Sequence, residues 1–255
     1  MEIQIKKAIR AGNSSAVVLP RAWLNKEVRV ELVKKSQPVI LRETIDILRD
    51  YLDIGKVIGI YLVGSYARGE EDNDSDIDVL VITDGIDVKM ISERAYNILV
   101  VSSDLIKYKL EKDLLPIGPM IKEAIPLINT SYIDSIEINP SKKNLYSYIK
   151  TTDEKIDLVK RALNKIKNKV SDSVLYTLVL RIRTLQIIEK LIKNQKYSKK
   201  EFVNLIKKIS GGEDSYQAYL NIKNNLGDKC QTSVEEATKL LYYLEKELKR
   251  VKSLF

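Results

Sequence analysis

The chain has 255 residues, 44% of them hydrophobic, and a formal net charge of +8, so it can hold two or three small domains with cores of their own, and no apolar run has the length of a membrane span. It contains no histidine, which excludes Ser-His and Cys-His nucleophilic machinery and His-ligated zinc. The single Cys230 cannot close an internal disulfide, and the N-terminus alternates apolar and polar residues unlike a signal peptide, so a cytoplasmic setting without membrane contact is expected.

The charge is unevenly spread. Residues 1–37 are net +5, residues 38–140 net −9 and residues 141–255 net +12. An acidic middle suits a metal site, and basic flanks suit polyanionic partners.

At the start of the chain, residues 3–10 alternate like a strand, 11–15 form a turn cluster and 16–19 are a short apolar strand. Pro20 opens one helical turn, and residues 28–33 alternate again. Nothing this short buries a core alone, so a partner chain or docking surface is expected. Gly12-Asn13-Ser14, Val18-Leu19-Pro20, Trp23-Leu24 and Val28-Arg29-Val30-Glu31-Leu32 resemble the AbrB/MazE-like swapped-hairpin DNA-binding domain. The resemblance covers residues 1–35. It implies a homodimer in which two hairpins interleave into a barrel, with Lys6, Lys7, Arg10 and Arg21 contacting DNA.

Pro38 marks a linker. Residues 39–53 carry Ile40, Leu41, Ile45, Leu48 and Leu52 at helical spacing, and residues 57–63 have the length and β-branching of a buried strand. Gly64-Ser65 follows at the strand end, where glycine permits close backbone approach to a phosphate and the serine hydroxyl can donate to it. Ten residues later come Asp76 and Asp78. At a strand entrance these two point the same way and offer hard oxygen ligands suited to Mg²⁺ together with substrate phosphates.

Gly64-Ser65-Tyr66-Ala67-Arg68-Gly69 through Ser75-Asp76-Ile77-Asp78-Val79-Leu80-Val81 resembles the polymerase-β-type nucleotidyltransferases, in particular the minimal ones. The resemblance spans roughly residues 38–140. It implies that Asp76 and Asp78 are catalytic and hold the metal, that Gly64 and Ser65 bind a nucleoside triphosphate, and that Arg68 assists. That superfamily often adds a third carboxylate on a later strand as general base. The strand expected here, residues 114–121, has no acid within it; Glu111 and Asp113 precede it.

Between these elements, residues 88–109 read as a helix and residues 133–138 as an edge strand. From Thr151 the periodicity is helical: 151–169, 174–194 after Ser171, a third segment capped by Ser198, then 216–226, and 232 to the end. Long amphipathic helices with short turns imply a bundle. This part resembles the helical domains that accompany minimal nucleotidyltransferases. HEPN ribonucleases are relatives of such bundles, but their motif requires histidine, which excludes RNase activity. The tyrosines of this part read mainly as amphipathic packing.

The expected protein is therefore an α+β multidomain chain. Residues 1–36 form a swapped β-hairpin barrel for dimerisation and DNA binding, 38–140 a mixed α/β nucleotidyltransferase domain and 141–255 a helical bundle. The expected reaction is Mg²⁺-dependent transfer of a nucleoside monophosphate to the hydroxyl of a protein, nucleic acid or small molecule, in a setting similar to toxin–antitoxin systems. The competing class is a DNA-binding regulator that senses nucleotide without turnover.

Overall fold

A computed structural model describes every residue except 1–3, 7, 31–33, 73–74, 167 and 230–231. Lys7 and Cys230 thus lie outside the described residues.

The N-terminal hairpin pairs β1 (Ile9–Ala11) with β2 (Ser14–Ala16) antiparallel. Gly12 has φ +62° in the two-residue turn, a conformation glycine adopts without a Cβ penalty. A 3-10 turn at Arg21–Trp23 follows the expected Pro20 start. The strands are shorter than the alternation suggested: residues 4–6, 8, 17–19 and 26–30 are not strand. Ile5, Val18, Leu24 and Val30 are each at least 65% exposed. Short strands without a covering layer are only marginally held in water.

Next come α1 (Gln37–Leu48), β3 (Val57–Val63), α2 (Gly64–Arg68), β4 (Ile77–Thr83), β5 (Val88–Glu93) and β6 (Tyr96–Ser102). They are followed by α3 (Ser103–Lys112), α4 (Gly118–Glu123), β7 (Ile125–Ile128) and α5 (Thr130–Asp134). One mixed sheet has the order β5-β6-β4-β3-β7, with β4 and β6 parallel and the remaining pairs antiparallel. Strand alternation divides its core into two layers. Ile60, Leu62, Ile77, Val79 and Val81 pack with Ile40, Ile47 and Leu48 of α1. Tyr61, Val63, Leu80 and Ile82 pack on the other face with Ile106, Ile117, Ile121 and Ile133.

Three expectations are corrected here. Residues 88–109 are a β-hairpin followed by α3, because Arg94 turns the chain at φ +56° and the helix N-cap comes only at Ser102, which accepts from the Leu105 N–H. Residues 114–121 are a turn and most of α4 rather than a strand; Pro119 sits in the first turn of that helix, where its missing N–H costs nothing. Residues 133–138 hold the end of α5 and irregular chain, and the edge strand is β7, joined to α5 by Asn129 in the left-handed region.

Five helices follow among the described residues: α6 (Lys142–Leu163), α7 (Asp172–Ile192), α8 (Lys199–Ser210), α9 (Asp214–Lys223) and α10 (Val234–Lys252). The first begins nine residues earlier than expected, because Ser141 and Asn144 form a capping box there. Ser171, Ser198 and Ser233 cap α7, α8 and α10. Their apolar faces enclose a core that includes Leu178, Ile182, Leu185, Phe202, Leu240 and Leu244, and Leu114 joins it from the sheet side. Among the described residues no helix is long and apolar enough to cross a membrane.

Candidate active site

The end of β3 places Gly64 directly beside β4, where Val63 pairs with Asp78. Gly64 has φ +71°, and a Cβ there would lie 2.2 Å from Asp78 Oδ2 and 2.9 Å from its Cβ and Cγ. Glycine is required twice at this position, by backbone conformation and by the carboxylate packed against it. Ser65 is half-buried, and its hydroxyl has no hydrogen-bond partner among the described residues. Gly69, at φ +65°, ends α2 after one and a half turns.

Asp76 is exposed just before β4, and Asp78 is half-buried within it. Burial raises the Asp78 pKa above the usual carboxylate range, and the neighbouring Asp76 charge raises it further. The adjacent strand β6 presents Asn97 opposite Asp78. Its amide Nδ2 donates to Asp76 Oδ2 at 3.2 Å, and its Oδ1 accepts from the Ser92 hydroxyl at 2.9 Å.

A buried acid stands on the other side of Gly64. Glu123, at the end of α4 and 6% exposed, accepts from the Gly64 N–H at 2.7 Å and from Arg68 Nη1 at 2.6 Å. Arg68 Nε also donates to Glu70 at 2.9 Å. Glu70 in turn crosses to the helical part: the Ser198 hydroxyl donates to it at 2.6 Å, the Lys199 N–H at 2.9 Å and the Lys200 N–H at 3.2 Å. Burial alone would raise the Glu70 pKa, but the Ser198 hydroxyl, Arg68 and these two N–H groups together hold it at about 2. Arg68 also lies over the Tyr197 ring, which Arg183 of α7 faces as well, at 5.4 Å. Tyr176, Tyr219 and Tyr216 stack beside them, in keeping with the packing role expected for these rings.

Neither acid considered as a third carboxylate joins this cluster. Glu111 is exposed and pairs with Lys112 and Lys143, while Asp113 bonds Lys109 and the Tyr148 hydroxyl. Asn97 and Glu123 are the neighbours that sequence reasoning missed, since sheet register and α4 bring them in from far along the chain. Of the basic residues expected to meet DNA, Lys6, Arg10 and Arg21 are all exposed.

Among the described residues no group of three or more acids, cysteines or histidines is arranged to hold an ion. The local donor set is two carboxylates and one amide. Two carboxylates fit Mg²⁺, which keeps several waters and takes remaining ligands from substrate phosphates.

A Gly-Ser pair opening a short helix at a strand end, beside an Asp pair at the entrance of the next strand, is the arrangement expected of a nucleotidyltransferase. Residues 41–204 match the family described as the nucleotidyltransferase domain, and the chain belongs to that family and is an enzyme of that class. It is 33% identical over 108 residues to the curated "Putative protein adenylyltransferase MJ0141" of Methanocaldococcus jannaschii, covering 42% of this chain and 91% of the relative. Among solved structures, the spectinomycin adenyltransferase AAD(9) from Enterococcus faecialis, crystallised with ATP and spectinomycin, matches with a TM-score of 0.47 and 15% identity. That match covers 82% of this chain and 98% of the other. A toxin-antitoxin structure with AMP-PNP matches with a TM-score of 0.25 and 19% identity, over 48% of this chain and 96% of that one.

Proposed function

We propose that the enzyme transfers an adenylyl group from ATP to a protein hydroxyl. The observation that carries the reading is the packing of Gly64 against the Asp78 carboxylate, which sets the Gly64-Ser65 strand end directly beside the acidic pair. The adenylyl donor and the protein acceptor are suggested by the archaeal relative's description. In the reaction the acceptor oxygen bonds to the α-phosphorus, the bond from that phosphorus to the β-phosphate oxygen breaks, pyrophosphate leaves and the hydroxyl proton passes to solvent.

Asp76 and Asp78 are the residues that would hold a divalent cation. A cation bound there offsets the charge of the triphosphate and of the leaving pyrophosphate. Ser65 offers its hydroxyl to a phosphate oxygen. Gly64 gives its N–H to Glu123, so its part is clearance for Asp78 rather than donation. Arg68 has Nε and Nη1 engaged, and Nη2 is the nitrogen we assign to a phosphate.

The same reading keeps three functional units: 1–36, 38–140 and 141–255. The exposed Ile5, Val18, Leu24 and Val30 support a second copy covering the hairpin, with Lys6, Lys7, Arg10 and Arg21 facing DNA.

Incubation with α-labelled ATP, Mg²⁺ and cell lysate tests the transfer. Labelled protein with pyrophosphate release is expected. Nucleotide binding without release would favour the nucleotide sensor instead.

A further inference from the structure

Ser92 on β5, Asn97 on β6 and Asp78 on β4 are consecutive cross-strand partners, so they form one row on one face of the sheet. The row is polar, and its hydrogen bonds have a direction. A carboxylate can only accept, so Asn97 must present Nδ2 to Asp76, and the Ser92 hydroxyl then donates to the Oδ1 that remains. Across the β4–β6 pairing Asn97 also stands directly opposite Asp78.

We propose that Asn97 is a positioning residue that holds the Asp76 and Asp78 carboxylates in one arrangement, ready for a divalent cation carried with a triphosphate, and that Ser92 fixes the Asn97 amide for this purpose. The inference rests on the reading of the Asp pair given above. Two like charges two residues apart at a strand entrance repel. Asp78 cannot retreat on the Gly64 side, because its carboxylate is packed there. Asp76 is exposed at the strand entrance and would turn into solvent unless something held it. A neutral N–H donor is the group that attracts both carboxylates without adding charge, and a ligand held beforehand costs less to order when the cation arrives.

The test is calorimetric titration of a non-hydrolysable ATP analogue across a Mg²⁺ series, with the thermal midpoint of each variant measured in chelator. Asn97→Ala should raise the half-saturating Mg²⁺ concentration roughly ten-fold, the usual scale for losing a partner of a metal ligand. Ser92→Ala should raise it by a smaller factor. Asn97→Asp separates positioning from packing. Its added oxygen would stand where Nδ2 stands, 3.2 Å from Asp76 Oδ2, a separation that one hard cation can bridge. This variant should therefore lower the Mg²⁺ requirement while also lowering the metal-free thermal midpoint. An unchanged Mg²⁺ requirement in Asn97→Ala overturns the inference. So does an equal increase in Asn97→Ala and Asn97→Asp that follows their loss of thermal stability. Absence of Mg²⁺-dependent triphosphate binding in the unaltered protein overturns the functional reading too, and is distinguished because it appears without any substitution.

Discussion

Gly64 and Asp78 occupy each other's space: the atom that any other residue would add at position 64 falls 2.2 Å from Asp78 Oδ2. Gly64→Ala should therefore move the carboxylate as well as strain the backbone at φ +71°. A loss of about 1–3 kcal/mol of stability is expected, together with loss of Mg²⁺-dependent triphosphate binding. Gly69→Ala is the control. Its φ is +65°, but nothing lies within 4 Å of the added atom, so it should cost about 1 kcal/mol and leave binding intact. Thermal melts and calorimetry on the two variants separate backbone strain from the clash with Asp78.

Removing both acidic charges should separate binding from folding. Asp76→Asn with Asp78→Asn should abolish Mg²⁺-dependent triphosphate binding. It should also raise the thermal midpoint in chelator, since Asp78 is half-buried beside a like charge. Ser65→Ala removes one hydrogen bond to phosphate and should weaken binding by only about 1 kcal/mol. Retained Mg²⁺-dependent binding in the double variant would contradict the assignment of the pair.

Local patterns made part of this site legible. The apolar run into Gly64-Ser65 and the alternation through Asp76 and Asp78 needed only strand periodicity. The serine caps at 171, 198 and 233 are likewise local. The residues around the pair were hidden because sheet register delivers them: Asn97 reaches Asp78 across a parallel pairing, and Glu123 reaches Gly64 from a helix 59 residues away. The hairpin of β5 and β6 was hidden differently. Ile91, Ala95 and Ile98 fall at helical spacing, and a short apolar run does not distinguish strand from helix. The start of α6 was readable in principle, since Ser141 and Asn144 lie at capping-box spacing after Pro140.

The hairpin yields a prediction about assembly. Its apolar side chains at Ile5, Val18, Leu24 and Val30 are largely exposed in a single chain, so burial against a second copy should drive association. Deleting residues 1–36 should convert a dimer into a soluble monomer that still binds triphosphate. Sedimentation of both forms decides it; a truncated protein that stays dimeric removes the swapped-hairpin reading.

If that hairpin binds duplex DNA, its charges set the salt dependence. Neutral substitutions at Lys7, Arg10 and Arg21 together should weaken binding to all sequences. They should also flatten the slope of log affinity against log salt by about one unit for each DNA phosphate that is no longer neutralised. Unchanged affinity and slope would move DNA binding to the basic helices or remove it.

Glu70 joins the loop after α2 to the start of α8, and this makes the junction sensitive to acid. Its side chain is only 15% exposed, and its carboxylate receives Arg68, the Ser198 hydroxyl and two backbone N–H groups. These partners favour the charged form, so its pKa falls from 4.5 in the unfolded chain to about 2 when folded. A carboxylate with a depressed folded pKa contributes its full stability above the unfolded value and loses it as pH falls toward the folded one. Glu70→Gln should therefore lower stability at pH 7 by about 1–3 kcal/mol, the cost of weakening hydrogen bonds to a charged group. The gap between the variant and the unaltered protein should close as pH drops from about 4.5 toward 2. Denaturant melts of both proteins across that window measure it. Hydrogen exchange should show the first turn of α8 opening before its end. A stability gap that stays constant from pH 7 to pH 3 would mean that the Glu70 charge does not hold the two parts together.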